Sequence, residues 1–149
     1  MKQFKNPQGF SIIEVLLVIA LGTALTALAL PVGFRFYQFQ VADETSTGIL
    51  SALRNAESRS RLGSEGSTFG VKLLPTSYVL FQGDTYASRN VSRDAIFPLP
   101  AGTNIVSTSD EIIFARVTGI PSATGTISIV LYDRMHEIEV NDAGVITQN

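Results

Sequence analysis

The 149-residue chain has no cysteine and a single histidine, His136. Without cysteine there is no disulfide frame, no thiolate metal site and no thiol nucleophile, so the core must hold the fold without covalent staples. A metal site would have to be built from carboxylates. Asp110-Glu111 and Asp142 are the candidates, and turn and strand-start roles account for them. His136, between Arg134 and Glu137, reads as a solvated strand position. No Gly-x-Ser-x-Gly elbow is present to select a nucleophilic serine. Gly63-Ser64-Glu65-Gly66 lacks the lysine and following helix of a phosphate-binding loop. A basic excess is missing too: the net charge is −2, which is not the balance of a general nucleic-acid binder. These absences leave no catalytic residue, no metal ligand and no cofactor site to assign.

What the chain does have is one long apolar run. From Phe10 to Leu30 there are 21 residues, and only Glu14 among them is charged. As a helix the run is about 30 Å long, enough to cross a bilayer core. Lys2 and Lys5 precede it, so its amino end should stay cytoplasmic and the following domain should lie outside. A carboxylate in lipid costs about 2.5–3.5 kcal/mol even on lenient insertion scales, so Glu14 needs a partner. The run itself holds no cation. Cleavage between Gly9 and Phe10 would create one: the new amino group, a helical turn away or on a neighbouring copy. A secretory signal cut after Ala27-Leu28-Ala29 has too short an apolar core to match this run. A plain single-span anchor leaves Glu14 and the Gly-Phe junction unexplained, and a buried soluble helix lacks enough apolar chain to wrap it.

Gly9-Phe10-Ser11-Ile12-Ile13-Glu14, behind a short lysine-bearing leader and ahead of an unbroken apolar helix, resembles the class III signal of type IV pilins and type II secretion pseudopilins. The resemblance implies cleavage after Gly9 by a prepilin peptidase and N-methylation of Phe10 by the same enzyme. It also implies assembly into a helical filament through Glu14, which would recognise a neighbour's amino terminus. Gln8 stands where a basic residue is common in the family, so the leader's charge rests on Lys2 and Lys5. Their removal with the leader leaves nine basic and thirteen acidic side chains, a charge of −4. Pro31 sits where many members carry a helix-kinking proline; it removes one backbone bond and crowds the preceding turn.

Beyond Pro31, Val32, Phe34, Phe36, Tyr37 and Phe39 form an aromatic-rich stretch suited to a membrane boundary, and Arg35 can snorkel to head groups. From Val41 the pattern is amphipathic, with Ile49, Leu50, Leu53 and Ala56 on one face and Glu44, Arg54, Glu57 and Arg61 on the other. One helix is therefore expected from Ser11 to about Leu62, stopped by Gly63. After Gly66 the period changes to two. Strands are expected at 68–74 and 77–82 as a hairpin, at 95–99 as an edge, and at 104–107, 111–117 and 126–132. Two more, at 137–140 and 145–147, surround the turn signal Asn141-Asp142-Ala143-Gly144. Residues 119–125 read as a loop. The fold class expected is α+β: a long N-terminal hydrophobic helix, the pilin spine, whose apolar stripe packs against a C-terminal antiparallel sheet of seven or so short strands.

The expected organisation is thus a leader at 1–9, a transmembrane or filament-core helix at 10–30, its amphipathic continuation at 31–62 and a β-rich domain at 63–149. An all-β domain after a helix ending Leu53-Arg54-Asn55-Ala56-Glu57-Ser58-Arg59, with a closing Val-Ile strand, resembles the GspH/FimT type of minor pseudopilin. The partners implied are prepilin peptidase, other pilin or pseudopilin subunits, an inner-membrane assembly platform and membrane lipid. The place implied is the inner membrane, then the pilus or pseudopilus. Nucleic acid is the less favoured partner. A phosphate patch would need Arg54, Arg59, Arg61, Arg89 and Arg93 to converge, whereas Glu57, Glu65, Asp84 and Asp94 stand ready to pair with them. A subunit that binds DNA or a secreted substrate, and an anchored domain that never polymerises, are the alternatives.

Overall fold

The structure is a computed structural model describing residues 9–148, so Lys2, Lys5 and the leader up to Gln8 lie outside the described residues. The chain divides into two units, one ending at Tyr37 and one beginning at Gln38. A single helix assignment, α1, covers Ile12–Arg61. It begins where the Ser11 carbonyl accepts bonds from the amides of Glu14 (3.0 Å) and Val15 (3.2 Å). It stops at Gly63, whose φ of 60° is the left-handed conformation that glycine adopts at no steric cost. Pro31 lies inside it.

In the first unit α1 is apolar on every side. Its most apolar 18-residue window has a mean hydropathy of 2.4 and none of it is buried, so α1 is long and apolar enough to cross a membrane. In the second unit the helix buries one stripe: Ala42, Ser46, Ile49, Leu50, Ala52, Leu53, Ala56 and Ser60. That matches the period of 3.6 read from the sequence.

Eight strands follow. They are β1 (Phe69–Leu73), β2 (Ser77–Gln82), β3 (Ala95–Pro98), β4 (Asn104–Ser107), β5 (Glu111–Phe114), β6 (Gly125–Leu131), β7 (Arg134–Val140) and β8 (Ile146–Gln148). They form two four-stranded antiparallel sheets, ordered β3-β2-β1-β5 and β4-β6-β7-β8. The expected α+β class is therefore observed, with two sheets rather than one. Ile49, Leu53 and Ala56 of α1 share one core with Phe69, Val71, Leu80, Ile112 and Phe114 of the first sheet. Ile127, Ile129, Ile138, Val140 and Ile146 of the second complete it. Burial of each large apolar side chain stabilises by about 1.5–3 kcal/mol relative to exposure.

The expected 77–82 strand, the β1–β2 and terminal β7–β8 hairpins and the edge position of β3 are all present. Two boundaries differ by three residues for local reasons. β5 ends at Phe114 instead of Val117, because Val117 takes a φ of 71° and leaves extended conformation. β7 begins at Arg134 rather than Glu137, since Tyr132 and Asp133, at φ 50° and 61°, form a two-residue turn with no glycine to announce it. Two single 3₁₀ turns, Ser64–Gly66 and Val91–Arg93, lie in stretches for which no element was expected.

Strand β2 is buried on both faces. Tyr78 and Leu80 join the main core, while Val79 and Phe81 belong to the opposite face. The 83–94 loop folds over that face. Tyr86 meets Phe81 edge-on at 5.5 Å, and Arg89 stacks 3.7 Å from the Tyr86 ring. The Arg89 Nε–H donates to Asp94 Oδ2 at 2.7 Å.

Candidate functional site

The residues singled out by the sequence lie at the amino end of α1. Gly9 and Phe10 precede the helix and are exposed, Phe10 by 81%. Among the described residues, a Cβ on Gly9 would meet nothing within 4 Å, so no packing there demands glycine. Glu14 occupies the first turn, where a negative charge is favoured by the unpaired amides and the helix dipole. Around it Ile13, Val15, Leu17 and Val18 are all largely exposed. Among the described residues, the first cationic side chain along the chain is Arg35. Glu14 is thus an acid on an exposed apolar surface with no counter-charge nearby in sequence. A carboxylate on such a surface is costly to transfer to lipid unless it is paired.

The arginines do not gather into one free patch. Arg61 pairs with Glu57, Arg93 lies 3.2 Å from Glu65, and Arg89 pairs with Asp94. Arg54 donates from Nη2 to the Ile146 carbonyl at 3.1 Å, and Arg59 sits 5.3 Å from the Phe69 ring centre. Asp84, expected to pair with an arginine, accepts instead from the Thr68 hydroxyl at 2.8 Å. Each cation has a structural task that leaves less of its donor set for phosphate.

His136 is a correction. Because β7 starts at Arg134, its alternation turns Arg134, His136, Ile138 and Val140 to the helix side. His136 is half-buried there, its Nε2 3.0 Å from Asp43 Oδ1 though without hydrogen-bond alignment. Arg134 lies 4.4 Å from the Phe39 ring centre, and Gln148 Nε2 donates to Ser46 Oγ at 3.0 Å. Phe39, Asp43, Ser46 and Arg54 therefore form a polar seam along one edge of the helix's apolar stripe, facing β7 and β8. The short-range pattern gave no sign of it, since the partners are 92 to 102 residues apart. Among the described residues no group of three or more acidic or histidine side chains is arranged to hold a metal ion.

No family model and no curated protein matches the chain. Among solved structures, the chain is similar to the minor pseudopilin EpsH from the type 2 secretion system of Vibrio cholerae. The match has a TM-score of 0.56 and 15% sequence identity, and covers 72% of this chain and 95% of that one. At that identity the likeness is one of fold: a long N-terminal helix with antiparallel sheets behind it is the pilin-like architecture of a minor pseudopilin.

Proposed function

We propose that this chain is a minor pilin or pseudopilin: a non-enzymatic structural subunit made as a membrane-anchored precursor. In this reading it is cut after Gly9 by a prepilin peptidase, methylated on Phe10 and built into a helical filament of a type IV pilus or type II secretion pseudopilus. The observation that carries the proposal is Glu14, an acid on an exposed apolar helix with no counter-charge near it among the described residues, joined to a β domain with the minor-pseudopilin fold. Cleavage supplies the missing cation. The Phe10 amine of one subunit neutralises Glu14 of the next, and in lipid the pair is far less costly than either charge alone. The helix resides in the inner membrane, with the β domain outside the cytoplasm, until the assembly platform transfers the subunit into the filament core.

The test is Glu14→Ala. The variant should be processed and membrane-bound at wild-type level yet absent from sheared or cross-linked filaments. Incorporation at the wild-type level would refute the role of Glu14.

A further inference from the structure

The β6–β7 hairpin tip carries four exposed residues in succession, Tyr132, Asp133, Arg134 and Met135. Met135 is 64% exposed although it lies within a strand, and Phe39, beneath Arg134, is 39% exposed. The central carbon of the Arg134 guanidinium is 4.4 Å from the centre of that ring, and Arg134 belongs to none of the ion pairs among the described residues. The nearby charges are Asp133 on the turn and Asp43, which faces His136. The contacts run in order along the helix: Arg134 at Phe39, then His136 at Asp43. β7 therefore climbs alongside α1 in the same direction, and the turn projects from the end of the domain at which the chain enters.

We propose that this tip, together with Phe39, is a second membrane contact that docks the β domain on the anionic phospholipid head groups of the bilayer anchoring α1. The proposal rests on the anchored reading above. Two observations select lipid as the occupant. The first is tethering: only nine positions in the sequence separate Phe39 from Leu30, the last residue of the apolar run. The second is chemistry. An aromatic ring, an arginine stacked on a second ring and a flexible thioether combine apolar bodies with one unpaired cation, the combination that settles at a head-group layer. Anionic lipid attracts that cation, and the attraction ends within a Debye length, which is why only a tethered tip would profit from it.

The absence of cysteine allows clean single-site labelling of the full chain. Met135→Cys, Ile120→Cys in the β5–β6 loop, and Leu21→Cys in the apolar run would each carry one fluorophore, in vesicles of phosphatidylcholine with and without phosphatidylglycerol. A head-group quencher should quench the label at 135 well above the label at 120 in the anionic vesicles. Adding Arg134→Glu, or omitting phosphatidylglycerol, should abolish that excess, while an acyl-chain quencher quenches the label at 21 throughout. Equal quenching at 135 and 120, with 21 quenched, overturns the docking contact alone. An excess that survives Arg134→Glu overturns the role of head-group charge. A label at 21 that escapes the acyl-chain quencher overturns the anchored reading, and the docking contact with it.

Discussion

The Phe69 backbone amide donates to the hydroxyl of Ser60 at 2.9 Å, and both residues are buried. The Ser60 carbonyl also accepts from the Val117 amide at 2.9 Å. One small polar residue in the last turn of α1 thereby joins the helix to β1 and to the loop after β5. Ser60→Ala removes the acceptor and leaves the Phe69 amide unpaired, which costs about 1–3 kcal/mol. Chemical denaturation of the detergent-solubilised chain should show that loss. A variant as stable as wild type would mean that the hydroxyl is dispensable.

Gly70 is needed for space rather than for turn geometry. A Cβ there would meet the Ile112 carbonyl oxygen at 2.8 Å, Phe81 Cζ at 2.8 Å and Ile113 Cγ1 at 3.0 Å. The first obstacle is the backbone of the neighbouring strand β5 and cannot rotate away. Gly70→Ala is therefore expected to destabilise by roughly 1–3 kcal/mol, the usual range for overpacking. Gly48→Ala provides the contrast. Its new methyl would meet only the Tyr78 side chain, chiefly the hydroxyl at 2.6 Å, and it gains helix propensity of about 1 kcal/mol. The same denaturation measurement should rank Gly70→Ala clearly below Gly48→Ala.

Lys72 Nζ donates to Asp110 Oδ2 at 2.8 Å and lies 3.6 Å from Glu111. The hydrogen bond from Lys72 holds the Asp110 carboxyl below its ordinary value of 3.8, and the bond to Asp110 raises Lys72 above 10.5. A lowered acid pKa contributes stability that is present above the unfolded value and lost as pH falls through the native one. A raised lysine pKa contributes stability that is present below its unfolded value and lost as pH rises through the native one. The pair therefore stabilises between about pH 4 and pH 10. Asp110 is 72% exposed, so solvent screening holds the contribution to about 0.2–1 kcal/mol. The stability gap between wild type and Asp110→Asn should be full at pH 7, close towards pH 2 and shrink in high salt. A gap independent of pH would assign it to packing instead.

The helix, its buried stripe and the strand positions were legible because each follows from local periodicity. Ile49, Leu53 and Ala56 could be assigned to one face from spacing alone, and the Asn141–Gly144 turn from its residue types. The two-sheet arrangement was not legible, because pairing β4 with β6 rather than β5 is decided by contacts between distant segments. Nor was the seam of Phe39 with Arg134 and Asp43 with His136, since its register depends on where β7 begins. That point is set by a left-handed turn at Tyr132-Asp133, residue types that do not advertise it. Asp94 was legible as a partner for one of the arginines, but neither its match to Arg89 nor the fold of that loop over Phe81 was. At the amino end the position is reversed: Gly9, Phe10 and Glu14 stand out in the sequence, and the fold adds only that none of the described residues packs against Gly9.

The mass and N-terminal sequence of the chain extracted from membranes test the pilin-like reading most directly. The predicted result is a chain beginning at Phe10 and heavier than calculated by one methyl group, with Gly9→Ala left as an uncut precursor. A chain still beginning at Met1 in cells with an active prepilin peptidase, or one beginning just after Ala29, would contradict it.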